Sequence, residues 1–149
     1  MKLLTYEDFQ IGRRFDLGPR KVSEDEIIAF AKKFDPQPFH LDPQSAHAQS
    51  VGGLIASGWH TCSIFMRMMC DGYILSTASQ GSAGLDEVRW VKPVRPGDTL
   101  TGTAEVVGRR ISSKRPGIGF VQFDYVMRNQ NDETVMLISG NGMVSVGTP

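Results

Sequence analysis

The sequence predicts an α+β fold, a curved antiparallel β-sheet wrapped around one long apolar central helix. In Gly58–Leu75, GWHTCSIFMRMMCDGYIL, apolar residues leave little polar face at helical spacing, so the span reads as a helix enclosed on all sides. Arg67 and Asp71 within it argue against a membrane span. The pattern then changes abruptly. Beyond the loop Ser79–Gly84, Leu100, Gly102, Ala104 and Val106 alternate with Thr99, Thr101, Thr103 and Glu105, which is the period of a half-buried strand. Val121, Phe123, Tyr125 and Met127 form one side of a second such run. One long helix followed by strands with short connections buries its apolar surface best if the sheet curls around the helix.

Taken in order, residues 1–22 form a leading segment with a short strand near Arg13–Asp16, and Gly18-Pro19 signals a turn. Ser23 with Glu26 makes a capping box, and Ile27, Ile28, Phe30, Ala31 and Phe34 follow as one apolar stripe, predicting a helix over 24–33. That helix stops at Asp35-Pro36, because proline pushes the preceding residue out of the helical region. Asp42-Pro43 then supplies an N-cap and first-turn proline for a short helix through Gln49. Strands are expected at Leu85–Val91, Thr99–Val107, Phe120–Arg128 and Thr134–Val146, with a tight Pro93–Asp98 connection between the first two. Connection length makes these strands antiparallel neighbours. Open sheet edges remain, and pairing of an edge with a second copy would remove them.

The length of 149 residues suits a single domain spanning 1–149, large enough to bury a core without disulfides or a structural metal. Sixteen Lys and Arg balance 16 Asp and Glu, with no basic run longer than two residues, which sets nucleic-acid binding aside. Glu7 and Asp8 interrupt the amino terminus before a signal-type apolar region forms, so a cytoplasmic location with no membrane partner is expected. Cys62 and Cys70 lie about 12 Å apart along one predicted helix, too far for a disulfide. They read as free thiols. No CxxC or HxxxH pair occurs, so no metal and no cofactor is expected.

The chemistry concentrates in Phe34–Asp42, FDPQPFHLD. Pro36 and Pro38 stiffen the loop and hold Asp35 and His40, five residues apart, in fixed relation. A carboxylate and an imidazole held this way suit general acid–base work, since little entropy remains to be lost on binding. Prolines also simply end helices, and Asp and His are ordinary loop residues, so the spacing alone leaves a structural role open.

In these residues the chain resembles the MaoC-like acyl dehydratases and (R)-specific enoyl-CoA hydratases, a family with the hot-dog fold. The family's D-x-N-P-x-H signature, with a following acid and alanine, is matched by Asp35, Pro38, His40, Asp42 and Ala46. Ile55-Ala56-Ser57-Gly58 takes the place where the family opens its central helix, and Val88–Val106 is similar to its strand-turn-strand segment. Two positions depart: Gln37 stands for the usual Asn, and Ser57 for the usual His.

The resemblance implies reversible hydration of a trans-2-enoyl thioester to a 3-hydroxyacyl thioester, carried by coenzyme A or acyl carrier protein, in a homodimer or a higher homo-oligomer of dimers. Asp35 would activate water, His40 would position it and share proton transfer, and the Gly58 backbone N–H would stabilise the oxyanion. Gln37 and Ser57 would touch water and substrate. Trp59 would narrow the acyl pocket or, equally, serve as a core aromatic. Lys92, Arg95, Arg109 and Arg110 are available to meet phosphates but read first as surface charges. Two other functions fit the same groove: a thioesterase, which would release free thiol, and a non-catalytic acyl-thioester binding module.

Overall fold

The computed structural model describes residues 2–148; Met1 and Pro149, the ends of the predicted 1–149 domain, lie outside the described residues. In chain order the elements are β1 (Arg14–Lys21), α1 (Glu24–Phe34), α2 (Pro38–Leu41), α3 (Ala46–Ser50), α4 (Gly58–Gly72), β2 (Leu85–Trp90), β3 (Thr99–Ile111), β4 (Ile118–Arg128) and β5 (Thr134–Ser145). Short 3-10 turns occupy Tyr6–Asp8 and Ile74–Ser76, the second directly extending α4. The five strands form one antiparallel sheet in the order β1-β3-β4-β5-β2. Leu100, Ala104 and Val106 of β3 and Val121, Phe123, Tyr125 and Met127 of β4 are buried, as their alternation predicts, and they join Ile64, Phe65 and Met68 of α4 in the core.

Three expectations change. Gly18-Pro19 is not a turn but a cis-peptide irregularity inside β1, where the pairing with β3 shifts between Leu17 and Arg20. Gly18 has φ +86°, and a side chain there would meet the Leu100 carbonyl at 2.8 Å, so the strand bends over β3 only at a glycine.

Second, the Pro93–Asp98 connection does not join neighbours. It carries the chain from the β2 edge past β5 and β4 to β3. Eight extended residues reach about 26 Å, ample for three strand spacings of about 4.8 Å, so a short connection leaves the topology open.

Third, α4 is not enclosed all round. His60, Thr61, Ile64, Phe65 and Met68 are buried, whereas Trp59 is 63% and Met66 46% exposed. The sheet covers one side of the helix, and beside that contact α4 lines a cavity whose other wall is formed by residues of β4 and β5, among them Phe123, Tyr125 and Ile138.

Among the described residues no helix is long and apolar enough to cross a membrane. Cys62 and Cys70 are free.

Candidate active site

The site is assembled from three local structures. The first is the end of α1. Ser23 Oγ accepts from the Glu26 N–H at 3.2 Å and the Glu26 carboxylate accepts from the Ser23 N–H at 2.9 Å, the reciprocal cap expected of this sequence. The helix runs to Phe34, one residue past the prediction, and Asp35 closes it by donating its backbone N–H to Ala31 O. Phe34 packs against Phe30 of the same stripe, with ring centroids 5.1 Å apart, yet is largely exposed.

The second structure replaces part of the expected loop. Pro38–Leu41 is one helical turn with Pro38 in its first turn, a position where the missing N–H costs nothing. His40 is carried on that turn and is buried. The following helix starts later than the Asp42-Pro43 pair suggested. Asp42 Oδ1 accepts from the Gln44 N–H instead, and Ser45 caps α3 by accepting from the Ala48 N–H at 3.0 Å.

The third is the extended segment Leu54–Ser57 that leads into α4. Ile55 N–H donates to Phe39 O and Ala56 N–H donates to Val94 O, so the segment is pinned between α2 and the β2–β3 connection. This pinning places the α4 amino terminus against His40.

In the assembled site Asp35 Oδ2 accepts from Ser57 Oγ at 2.7 Å and lies 3.3 Å from His40 Nε2, while Asp35 Oδ1 accepts from Gln37 Nε2 at 2.6 Å. His40 Nδ1 sits 2.7 Å from Ile55 O. A carbonyl only accepts, so Nδ1 carries a hydrogen, and Nε2 is the nitrogen left to face Asp35 and exchange a proton. The Ser57 hydroxyl is the largest influence holding the Asp35 carboxyl below the usual carboxylate range. Partial burial pushes it up, and Gln37 and the neighbouring His40 ring pull it down. At neutral pH Asp35 is therefore an ionised acceptor.

Ser57 is fully buried and stands at the N-cap position of α4, yet its side chain makes no capping bond because the hydroxyl is committed to Asp35. The first-turn N–H groups of α4 thus have no side-chain cap, and the positive end of the helix dipole meets the site. Gly58 opens that turn. Trp90 of β2 donates its indole N–H to Gly58 O at 2.9 Å, and a Cβ on Gly58 would meet the indole at 2.6 Å. Glycine is required here by the closeness of Trp90. Trp90 was not legible as a site residue, since 32 positions separate it from Gly58 and no local pattern links them. The Ile55 carbonyl was equally hidden, being backbone.

The structure thus brings Asp35, Gln37, His40 and Ser57 into one hydrogen-bonded group at the start of α4. Trp59 is not a core aromatic; it packs edge-to-face on Trp90 with ring centroids 5.5 Å apart, and it lines a cavity of about 550 Å³ along α4. The four basic residues are engaged within the chain: Lys92 with Glu133, Arg95 with Val51 O, Arg109 with Tyr6 O, and Arg110 stacked over Phe120. Among the described residues no three His, Cys, Asp or Glu side chains gather as metal ligands.

Comparison with known proteins agrees with this architecture. A MaoC-like dehydratase from Rhodospirillum rubrum superposes with a TM-score of 0.89 at 38% identity, over 98% of this chain and 99% of that one. A Mycobacterium tuberculosis protein described as a double hot-dog fold superposes at 0.78 with 19% identity, over 99% of this chain and 47% of that one, which speaks to the fold alone. The 3-hydroxyacyl-thioester dehydratase Z of Mycobacterium tuberculosis is 30% identical over 58% of this chain, a match spanning 59% of that protein. Residues 8–122 match the family model described as MaoC like domain, and with this sheet, this central helix and that match the chain belongs to the MaoC-like dehydratase family of hot-dog proteins.

Proposed function

We propose that the chain adds water reversibly across the double bond of a trans-2-enoyl thioester, giving a 3-hydroxyacyl thioester, and removes it in the reverse direction. The observation that carries the reading is the contact of Asp35 with His40, at 3.3 Å, beside the uncapped amino terminus of α4. Family membership and the dehydratase relative support a hydro-lyase.

Asp35, ionised and oriented by Ser57 and Gln37, accepts a proton as water attacks the β-carbon. The charge that develops on the thioester oxygen is met by the Gly58 N–H, a preorganised donor of the kind worth about 3 kcal/mol in a transition state. The Asp35–His40 pair returns the proton to the α-carbon, so the enzyme ends the cycle unchanged. Ser57 and Gln37 act on this reading by holding the carboxylate, and Trp59 by shaping the acyl side of the groove. The carrier is coenzyme A or acyl carrier protein. A second copy of this chain on the β2 edge completes the assembly.

The test follows absorbance of the conjugated thioester with a panel of trans-2-enoyl-CoA chain lengths, with a thiol trap in parallel. Wild type should consume the enoyl signal without releasing thiol, and Asp35→Asn and His40→Ala should each lose about 10²–10⁴ in kcat. Thiol release would instead identify a thioesterase. Binding of a thioester that stays intact, with Asp35→Asn and His40→Ala altering affinity alone, would identify a binding module.

A further inference from the structure

The cavity along α4 is walled mainly by carbon, but its far end is not. Tyr73, at the end of α4, and Tyr125, on β4, both line it, as does Met69 one helical turn before Tyr73. The two tyrosine hydroxyls lie 3.3 Å apart, and Tyr73 Oη is 3.7 Å from Met69 Sδ. Both residues are over 90% buried, at 5% and 8% exposure. Buried tyrosine hydroxyls ordinarily find a strong partner. Here two O–H donors share one hydroxyl oxygen and one thioether, and a thioether is a weak acceptor. Whichever hydroxyl donates to the other, one O–H is left without an oxygen to bind among the described residues. Burial pushes both phenols up, Tyr125 to about 12, so they stay protonated donors at any physiological pH. Aromatic packing fixes the rings: Tyr73 stacks on Phe15 at 4.6 Å and Tyr125 on Phe123 at 5.3 Å.

We infer that the Tyr73–Tyr125 pair is a specificity element that selects acyl groups bearing an uncharged oxygen, as ketone, hydroxyl or ether, at the end remote from the thioester. The inference rests on the proposed function in taking the cavity as the acyl site. Trp59, adjacent to Gly58, and Tyr73 mark the two ends of the helix face that lines it, about 21 Å apart at 1.5 Å per residue. An acyl chain entering the cavity past Trp59, the neighbour of Gly58, and running along α4 brings its remote end to the tyrosines. A carboxylate is disfavoured there, since the surrounding wall is apolar and supplies no cation.

The decisive experiment measures binding and turnover separately. Calorimetry on wild type, Tyr73→Phe, Tyr125→Phe and the double variant would use paired saturated acyl-CoA probes of equal length, one with a remote ketone and one without. A single good neutral hydrogen bond corresponds to a preference of roughly tenfold. Wild type should prefer the ketone by that factor, and the double variant should show a ratio near one. The same ratio in kcat/KM should appear for the corresponding enoyl substrates. Equal affinities in wild type, no binding of either probe, or a preference that survives in the double variant overturns the inference. A merely structural role for the tyrosines would lower thermal stability without moving the ratio. Because calorimetry needs no turnover, a ketone preference in an inactive protein would sink the hydratase reading while leaving this one standing.

Discussion

In the proposed reaction Asp35 is the group that takes the proton from water, and the Ser57 hydroxyl is the largest influence lowering its pKa. A carboxyl whose folded pKa is depressed gives its stabilising and catalytic contribution above the ordinary value near about 3.9 and loses it as pH falls through the folded value. Ser57→Ala removes the largest depressing influence. The acid limb of the kcat/KM profile should move to higher pH, and kcat at pH 7 should drop roughly ten- to a hundredfold as the carboxylate loses its fixed orientation. An unmoved acid limb would mean that Asp35 is not the titrating base. Gly58 offers a complementary test. Gly58→Ala drives a methyl into the Trp90 indole and should cost about 1–3 kcal/mol of stability, measured by urea denaturation. Adding Trp90→Ala should recover part of that loss, and strict additivity of the two would contradict the close approach described above. That Asp35 and His40 would be held together was legible in the proline-stiffened loop, and that Gly58 opens the central helix was legible from the family resemblance; their catalytic roles belong to the proposal. Ser57 was legible as a position but not as the partner of Asp35, a bond between residues 22 apart.

At the scale of elements, α1 and α4 meet through a buried histidine. His60 lies in the first turn of α4, stacks on Phe30 with ring centroids 4.8 Å apart, and has a buried Nδ1 that finds no partner among the described residues. Burial holds its pKa below the ordinary imidazole value, with Glu26 opposing and Arg20 reinforcing that effect. Folding therefore favours the neutral ring. Its contribution is fully present above the unfolded value of about 6.5 and declines as pH falls toward the folded value. The melting temperature should fall between pH 7.5 and 5.5, and His60→Phe, which keeps the stack and removes the titration, should flatten that slope. A slope identical in both proteins would assign the acid sensitivity elsewhere. Periodicity placed His60 on the central helix, but only the packing of α1 across it makes the ring a buried, titrating contact.

The whole molecule leaves one side apolar. Trp59 and Met66 on α4 and Leu85, Trp90 and Val91 at β2 are all more than a third exposed, and β2 is a sheet edge with free backbone groups. Such an edge is a template for pairing with another chain. The proposed second copy on β2 is checked by sedimentation equilibrium: a particle of twice the 16.4 kDa chain mass is expected. Leu85→Glu with Val91→Glu should shift the equilibrium to monomer and reduce hydration in proportion. A wild-type monomer that remains active at all dilutions would remove the second copy from the functional reading.

The sequence by itself determined whatever is local: the capping box at Ser23, the stop at Asp35, the α4 span, and the alternating faces of β3 and β4. Each follows from periods of 3.6 or 2 and from proline and capping chemistry within a few residues. Tertiary structure alone decided the order β1-β3-β4-β5-β2, the exposed side of α4, the Ser57–Asp35 bond and the seat of Trp90 on Gly58. These depend on which distant segments share a surface. A connection of eight residues is long enough to reach several strands, and an apolar helix does not record which of its sides the sheet covers.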